Sequence, residues 1–174
     1  NLTEKVKIKK GRALLMKSLI IYCSTYRKNT EKIAQLFAEN LGCELISLEN
    51  MNNANEKINN ASINDYDLIG FGSGVYKENL SPKLFRLVEN LDLKDKNVFV
   101  FSTSGIGMKF YNNKLIRLLK SKEAIIKGSF ACKGSFDARE FSNIRIFNIM
   151  GKLSQGHPND KDFKNAEKFI KSII

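Results

Sequence analysis

Seven consecutive polar residues, Ser24-Thr25-Tyr26-Arg27-Lys28-Asn29-Thr30, follow an apolar run and open a segment of helical spacing. They supply hydroxyls, an amide and two cations. Unpaired backbone N–H groups and the positive dipole end at a helix start favour an anion, phosphate above all. Plain N-capping by Asn29 or Thr30 is the alternative, but a cap needs one such residue, not seven. Two more stretches of small residues follow apolar runs. In Gly72-Ser73-Gly74-Val75-Tyr76, the glycines would let the backbone approach a flat ligand or take positive φ, and Tyr76 could stack on a ring. The alternative is a turn with Tyr76 at the core's edge. In Ser102-Thr103-Ser104-Gly105-Ile106-Gly107, small polar residues could offer N–H donors to a heteroaromatic edge. A flexible helix-entry turn is the alternative there.

Other chemistries fit less well. A cysteine-nucleophile phosphatase loop needs Cys, five residues, then Arg; after Cys23 that position is Asn29, and Arg27 comes too early. The aspartates of a phospho-receiver are missing, because the first apolar run ends in Cys23-Ser24 and the third in Gly72. Cys23 therefore reads as a core residue. His157, the one histidine, precedes Pro158 and a helix start at Asn159 or Asp160, a capping neighbourhood. Neither a Ser-His-Asp set nor a metal set assembles around it.

These segments need elements to position them. Ser18 to Cys23 is continuously apolar, as suits a strand buried on both faces of a parallel sheet. Ile33, Ala34, Phe37 and Leu41 recur at helical spacing until Gly42. Cys43–Leu48, Asp67–Phe71, Asn97–Phe101 and Ile125–Cys132 read as further strands. Helices are expected after Ser81-Pro82, near Asn112–Lys120 and from about Asp160, and a loop with a short helix over Asn50–Asn64. A longer irregular stretch should lead to Pro158. Five strands alternating with helices predict an α/β fold with a parallel sheet covered on both sides; in a 2-1-3-4-5 order of five such strands, the ligand site lies between strands one and three. The three polar stretches would then meet beyond the carboxyl ends of strands one, three and four, where ligands bind in such sheets.

Composition narrows the partners. The 29 Lys and Arg exceed the 18 Asp and Glu, for a formal charge of +11. Such a balance favours anionic partners, but the lysines are scattered and no nucleic-acid motif occurs, so nucleic acid is not expected. Three cysteines without a CxxC pair fit a reducing cytoplasm. No apolar run reaches the roughly 20 residues of a membrane span. Residues 1–15 read as an N-terminal extension, and 16–174 as the domain.

Over nearly all of Met16–Ile174 the chain resembles the flavodoxin family. The resemblance rests on the loop ending in Asn29-Thr30, on Phe101-Ser102-Thr103-Ser104-Gly105 and on Gly128-Ser129-Phe130-Ala131-Cys132-Lys133-Gly134. It continues through Phe136-Asp137 and Gly156-His157-Pro158-Asn159-Asp160-Lys161-Asp162. It implies a flavodoxin-like three-layer sandwich, with a five-stranded parallel sheet of order 2-1-3-4-5, and non-covalently bound FMN. Ser24, Thr25, Tyr26, Arg27, Lys28, Asn29 and Thr30 would hold the phosphate. Ser73, Gly74, Val75 and Tyr76 would line one side of the isoalloxazine ring, and Ser102, Thr103, Ser104 and Gly105 the other. Cys132 falls where the family places a residue near the flavin, although a small Cys ending a buried strand also suits packing. The expected role is electron carriage between low-potential protein partners. An FMN-dependent NAD(P)H:quinone-type reductase and a non-catalytic flavin-binding module are the alternatives. Arg27 and Lys28 depart from the family, which often has Thr-Gly there. The basic surface departs from the usual acidic one.

Overall fold

The structure, a computed structural model, describes residues 16–50, 58, 62–135 and 153–174. The extension 1–15, most of the Asn-rich loop and the irregular stretch with Phe136-Asp137 lie outside the described residues.

Among the described residues, six strands and four α-helices follow in chain order: β1 (Ser18–Cys23), α1 (Asn29–Leu41), β2 (Glu44–Ser47), β3 (Leu68–Tyr76), β4 (Asn79–Leu80), α2 (Pro82–Asn90), β5 (Asn97–Ser104), α3 (Asn113–Ser121), β6 (Ile125–Lys133) and α4 (Asp160–Ser172). Five of the strands form the sheet β2-β1-β3-β5-β6, and every neighbouring pair in it is parallel. This is the expected 2-1-3-4-5 order. The sixth strand, β4, was not expected; it pairs antiparallel with the end of β3.

Alternation along the strands divides the core in two. Leu19, Ile21, Ile69, Phe71, Val98 and Val100 point to one face, where Leu84, Val88, Leu115 and Leu119 of α2 and α3 cover them. Ile20, Tyr22, Leu68, Phe99 and Phe101 point to the other, under Ile33 and Phe37 of α1 and Ala166 and Ile170 of α4. Strands buried on both faces have no polar side to show, which is why they read as continuous apolar runs.

Two glycines make the aromatic layer possible. Gly70 pairs with Phe99 and Gly72 with Phe101 across β3 and β5, and each ring lies over its glycine. A Cβ added at Gly72 would come within 2.1 Å of Phe101 Cζ, and one at Gly70 within 2.4 Å of Phe99 Cζ. Phe37 meets both rings nearly edge-on, at centroid distances of 5.1 and 5.6 Å. Neither Gly70 nor Gly72 has positive φ. The expected freedom for a ligand at Gly72 is therefore corrected: its bare Cα is used by the Phe101 ring.

The polar stretches after strands three and four also need correction. The sequence places strand ends at Phe71 and Phe101, but β3 runs to Tyr76 and β5 to Ser104. Parallel pairing continues through Ser73 with Ser102 and Gly74 with Thr103. The chain reverses at Lys77-Glu78, both with positive φ (47° and 63°), the geometry of a two-residue hairpin turn. No Gly, Asn or Asp marks this turn in the sequence.

Candidate functional site at the carboxyl ends of the sheet

The left-handed pair Arg27-Lys28 (φ 49° and 53°) turns the chain from β1 into α1. Lys28 stands at the helix's N-cap position without a side-chain cap bond. The expected caps Asn29 and Thr30 do not cap; instead Glu31 N–H donates to Ser24 Oγ across the loop (3.2 Å). The first-turn N–H groups of Asn29 and Thr30 have no acceptor within the helix.

Side chains tie this loop to both neighbouring strand ends. Thr25 N–H and Thr25 Oγ1 donate to Tyr76 Oη at 3.0 and 2.8 Å. Tyr76 reaches back over Gly74, where an added Cβ would lie 2.8 Å from its oxygen. Thr30 Oγ1 and Thr103 Oγ1 share a buried hydrogen bond of 2.8 Å. Asn29 Nδ2 donates to Ser135 O (2.8 Å), just past β6. The three polar stretches thus converge, with the end of β6 added. Ser135 carries no signal in the sequence that would have marked it.

The remaining candidates fall into place around this junction. Ser73 Oγ donates to Gly74 O and accepts from Ser81 N–H, so it fixes the hairpin. Val75 is half-buried and pairs with Leu80. Ser104 Oγ accepts from Gly107 N–H (2.8 Å) and closes the turn that holds Gly105. Arg27 Nε donates to Tyr26 Oη (3.1 Å), and its guanidinium lies 5.4 Å from the centre of that ring. Lys28 Nζ sits 3.4 Å from Glu31 Oε2. Cys132 pairs with Thr103 in the sheet and is buried. Burial, and secondarily the charge of Asp162, push its thiol far up, so it stays protonated. Cys23 is buried in β1, and burial raises its thiol as well.

Two polar atoms here have no hydrogen-bond partner: Asn29 Oδ1 and Ser102 Oγ. Their residues are 6% and 1% exposed. Buried polar groups are nearly always paired, with ordered water or another molecule where the chain supplies no partner.

His157 sits at the start of α4. Its Nδ1 is 2.5 Å from Asp162 Oδ2, which also accepts Asn159 N–H. Asn159 Oδ1 accepts from Lys161 and Asp162 N–H, completing a capping box for α4. The capping neighbourhood expected from Pro158 is what forms. Among the described residues, no group of His, Cys, Asp and Glu could hold a metal, and no helix is long and apolar enough to cross a membrane.

Comparison with known proteins agrees with this architecture. A family described as the flavodoxin domain matches residues 19–147. An uncharacterised protein of Methanocaldococcus jannaschii is 37% identical over 161 residues, covering 91% of this chain and 99% of that protein. A flavodoxin from the domain Archaea superposes with a TM-score of 0.63 at 14% identity, over 91% of this chain and 96% of that one. The general stress protein 14 of Treponema denticola, solved in complex with FMN, superposes with a TM-score of 0.59 at 10% identity, over 91% and 99%. A match over most of the chain, with the sheet order and converging strand ends described above, means that this chain belongs to the flavodoxin family.

Proposed function

We propose that this chain is an FMN-binding redox protein that carries electrons between low-potential protein partners. One observation carries the proposal. The loop Ser24–Thr30 is pinned to the ends of β3 and β5 while Asn29 Oδ1 and Ser102 Oγ stay buried and unpaired. The residues fit the cofactor. The first turn of α1, with Ser24, Thr25, Tyr26, Arg27, Lys28, Asn29 and Thr30, would hold the phosphate through N–H groups, hydroxyls and cations. Ser73, Gly74, Val75 and Tyr76 would flank one side of the ring system, and Ser102, Thr103, Ser104 and Gly105 the other. Cys132 would contribute packing from β6. Membership of the family and the FMN complex of the Treponema neighbour support the choice of ligand.

When bound, FMN supplies the electron chemistry. The protein's own task is to bind it, orient it and set its electrostatic surroundings. Electron transfer one at a time needs no general acid or base, and the loop offers cations and hydroxyls instead of a paired acid and base. Arg27 and Lys28 stand where many relatives have Thr-Gly, so the phosphate would be gripped by positive charge as well as by backbone. Purified protein, loaded with FMN, separates carrier from reductase. The carrier reading expects no steady NADH or NADPH oxidation with a quinone present, and reduction only through a partner protein. Sustained turnover of NAD(P)H would replace it with the reductase reading. Flavin uptake without reversible reduction by any donor would point to a non-catalytic module.

A further inference from the structure

The charge of this chain is unevenly placed. Counting α3, β6, α4 and Lys109 just before α3, ten Lys and Arg stand against three acids, Asp160, Asp162 and Glu167. At the opposite edge, α1 and β2 carry Lys32 against Glu31, Glu39 and Glu44. The sheet order puts β6 and β2 at the two ends. Among these described elements, positive charge is therefore gathered along the β6 edge, while with Arg27 and Lys28 just before α1 the β2 edge is balanced.

Two of the three acids of the basic edge are already engaged. Glu167 pairs with Lys171, and Asp162 binds His157 and the α4 cap. Lys109, Arg117, Lys127, Lys161, Lys164 and Lys168 are exposed and make no ion pair among the described residues. Apolar surface adjoins Lys109: Met108 is 49% and Phe110 is 52% exposed, on either side of it. Lys109 and Lys168 border one cavity of about 460 Å³, with Phe130 and Phe169 in its wall.

We propose that this edge docks an acidic protein partner. Its contact would centre on Met108 and Phe110, with Lys109, Lys127, Lys164 and Lys168 steering a carboxylate-rich face. Met and aromatic residues at a centre with lysines on the rim is the composition of a protein–protein interface. Phosphate recognition favours the planar arginine fork, whereas nine of the ten cations here are lysines, suited to steering without fixed geometry. Met108 lies only four residues beyond the end of β5, so a docked partner would face the proposed cofactor end. Its role as a redox contact rests on the FMN reading; the docking itself does not.

The test uses an acidic [2Fe–2S] ferredoxin as probe and follows the amide NMR shifts of the 15N-labelled full chain, with and without FMN. Shifts should gather at Met108–Phe110 and along β6 and α4, and should vanish at high ionic strength. The charge-reversed variant Lys109→Glu/Lys164→Glu/Lys168→Glu should bind the probe on the order of tenfold more weakly, with unchanged FMN affinity. Shifts at the β2 edge instead, no shifts, or binding indifferent to the charge reversal would overturn the proposal. Tighter binding of a single-stranded oligonucleotide at the same residues would overturn it in favour of a polyanion surface. Failure of the FMN reading looks different: the flavin is not taken up, while the ferredoxin shifts persist.

Discussion

The bond between Thr30 and Thr103 gives the sharpest test of how the site is held. It joins the start of α1 to the end of β5 at 2.8 Å, and its residues are 1% and 4% exposed. Thr30→Val removes one hydroxyl and leaves the other buried without a partner. An orphaned buried group costs about 1–3 kcal/mol, whereas replacing both partners by apolar groups of the same shape is nearly neutral. Each single variant, Thr30→Val or Thr103→Val, should therefore lose about 1–2 kcal/mol in urea unfolding. The double variant should lose no more than one single variant, giving a coupling energy of about 1 kcal/mol or more. Bound FMN would stabilise by mass action, so unfolding must be measured on flavin-free protein. Additivity of the two substitutions to within about 0.5 kcal/mol would refute the reasoning, because independent sites behave that way.

Gly72→Ala pushes a Cβ to 2.1 Å from Phe101 Cζ, in a ring already backed by Phe37; overpacking of this kind costs about 1–3 kcal/mol. Phe101→Leu in the same chain should recover part of that loss in denaturant melts, and no recovery would mean the clash is not its source. Lys28→Gly removes a left-handed residue that carries a Cβ, worth about 1–2 kcal/mol, against roughly 0.5–1 kcal/mol of added chain entropy. Stability should hold or rise slightly, while FMN affinity falls at low salt by a margin that shrinks as salt rises. A fall in stability beyond about 1 kcal/mol would contradict the strain assignment. Burial holds the Cys43 thiol up at about 11, so the folded chain keeps a proton that the unfolded chain releases above about pH 8.5. That stabilisation is complete below this pH and is lost between there and about pH 11. Cys43→Ala should flatten this alkaline decline in urea midpoints, and an unchanged slope would show that the thiol contributes nothing to it.

The centre of the sheet was legible because β1, β3 and β5 are buried on both faces, so their cores appear as apolar runs. The alternation with helices made the sheet parallel, and the 2-1-3-4-5 order came with the flavodoxin resemblance. The ends of β3 and β5 were not legible, since Gly72, Ser73, Ser102 and Thr103 have loop-like composition while the ladder continues through them. Phe101 shows why: its ring needs the bare Cα of Gly72, and that need is invisible until the two strands are in register. The hairpin after Tyr76 was missed because Lys77 and Glu78 adopt positive φ without a residue that favours it. The loop Ser24–Thr30 stands out by its polarity and position. Its ties to Tyr76, Thr103 and Ser135 depend on contacts across 51, 73 and 106 positions of chain, beyond the reach of local pattern.

FMN and riboflavin differ only by the phosphate that Ser24–Thr30 is proposed to hold. Titration of flavin-free protein with each, followed by quenching of flavin fluorescence, therefore addresses the loop most directly. The account predicts one tight FMN site and riboflavin binding weaker by about a hundredfold or more, equal to about 2.8 kcal/mol or more for the phosphate. Equal affinities, or no quenching by FMN, would contradict it.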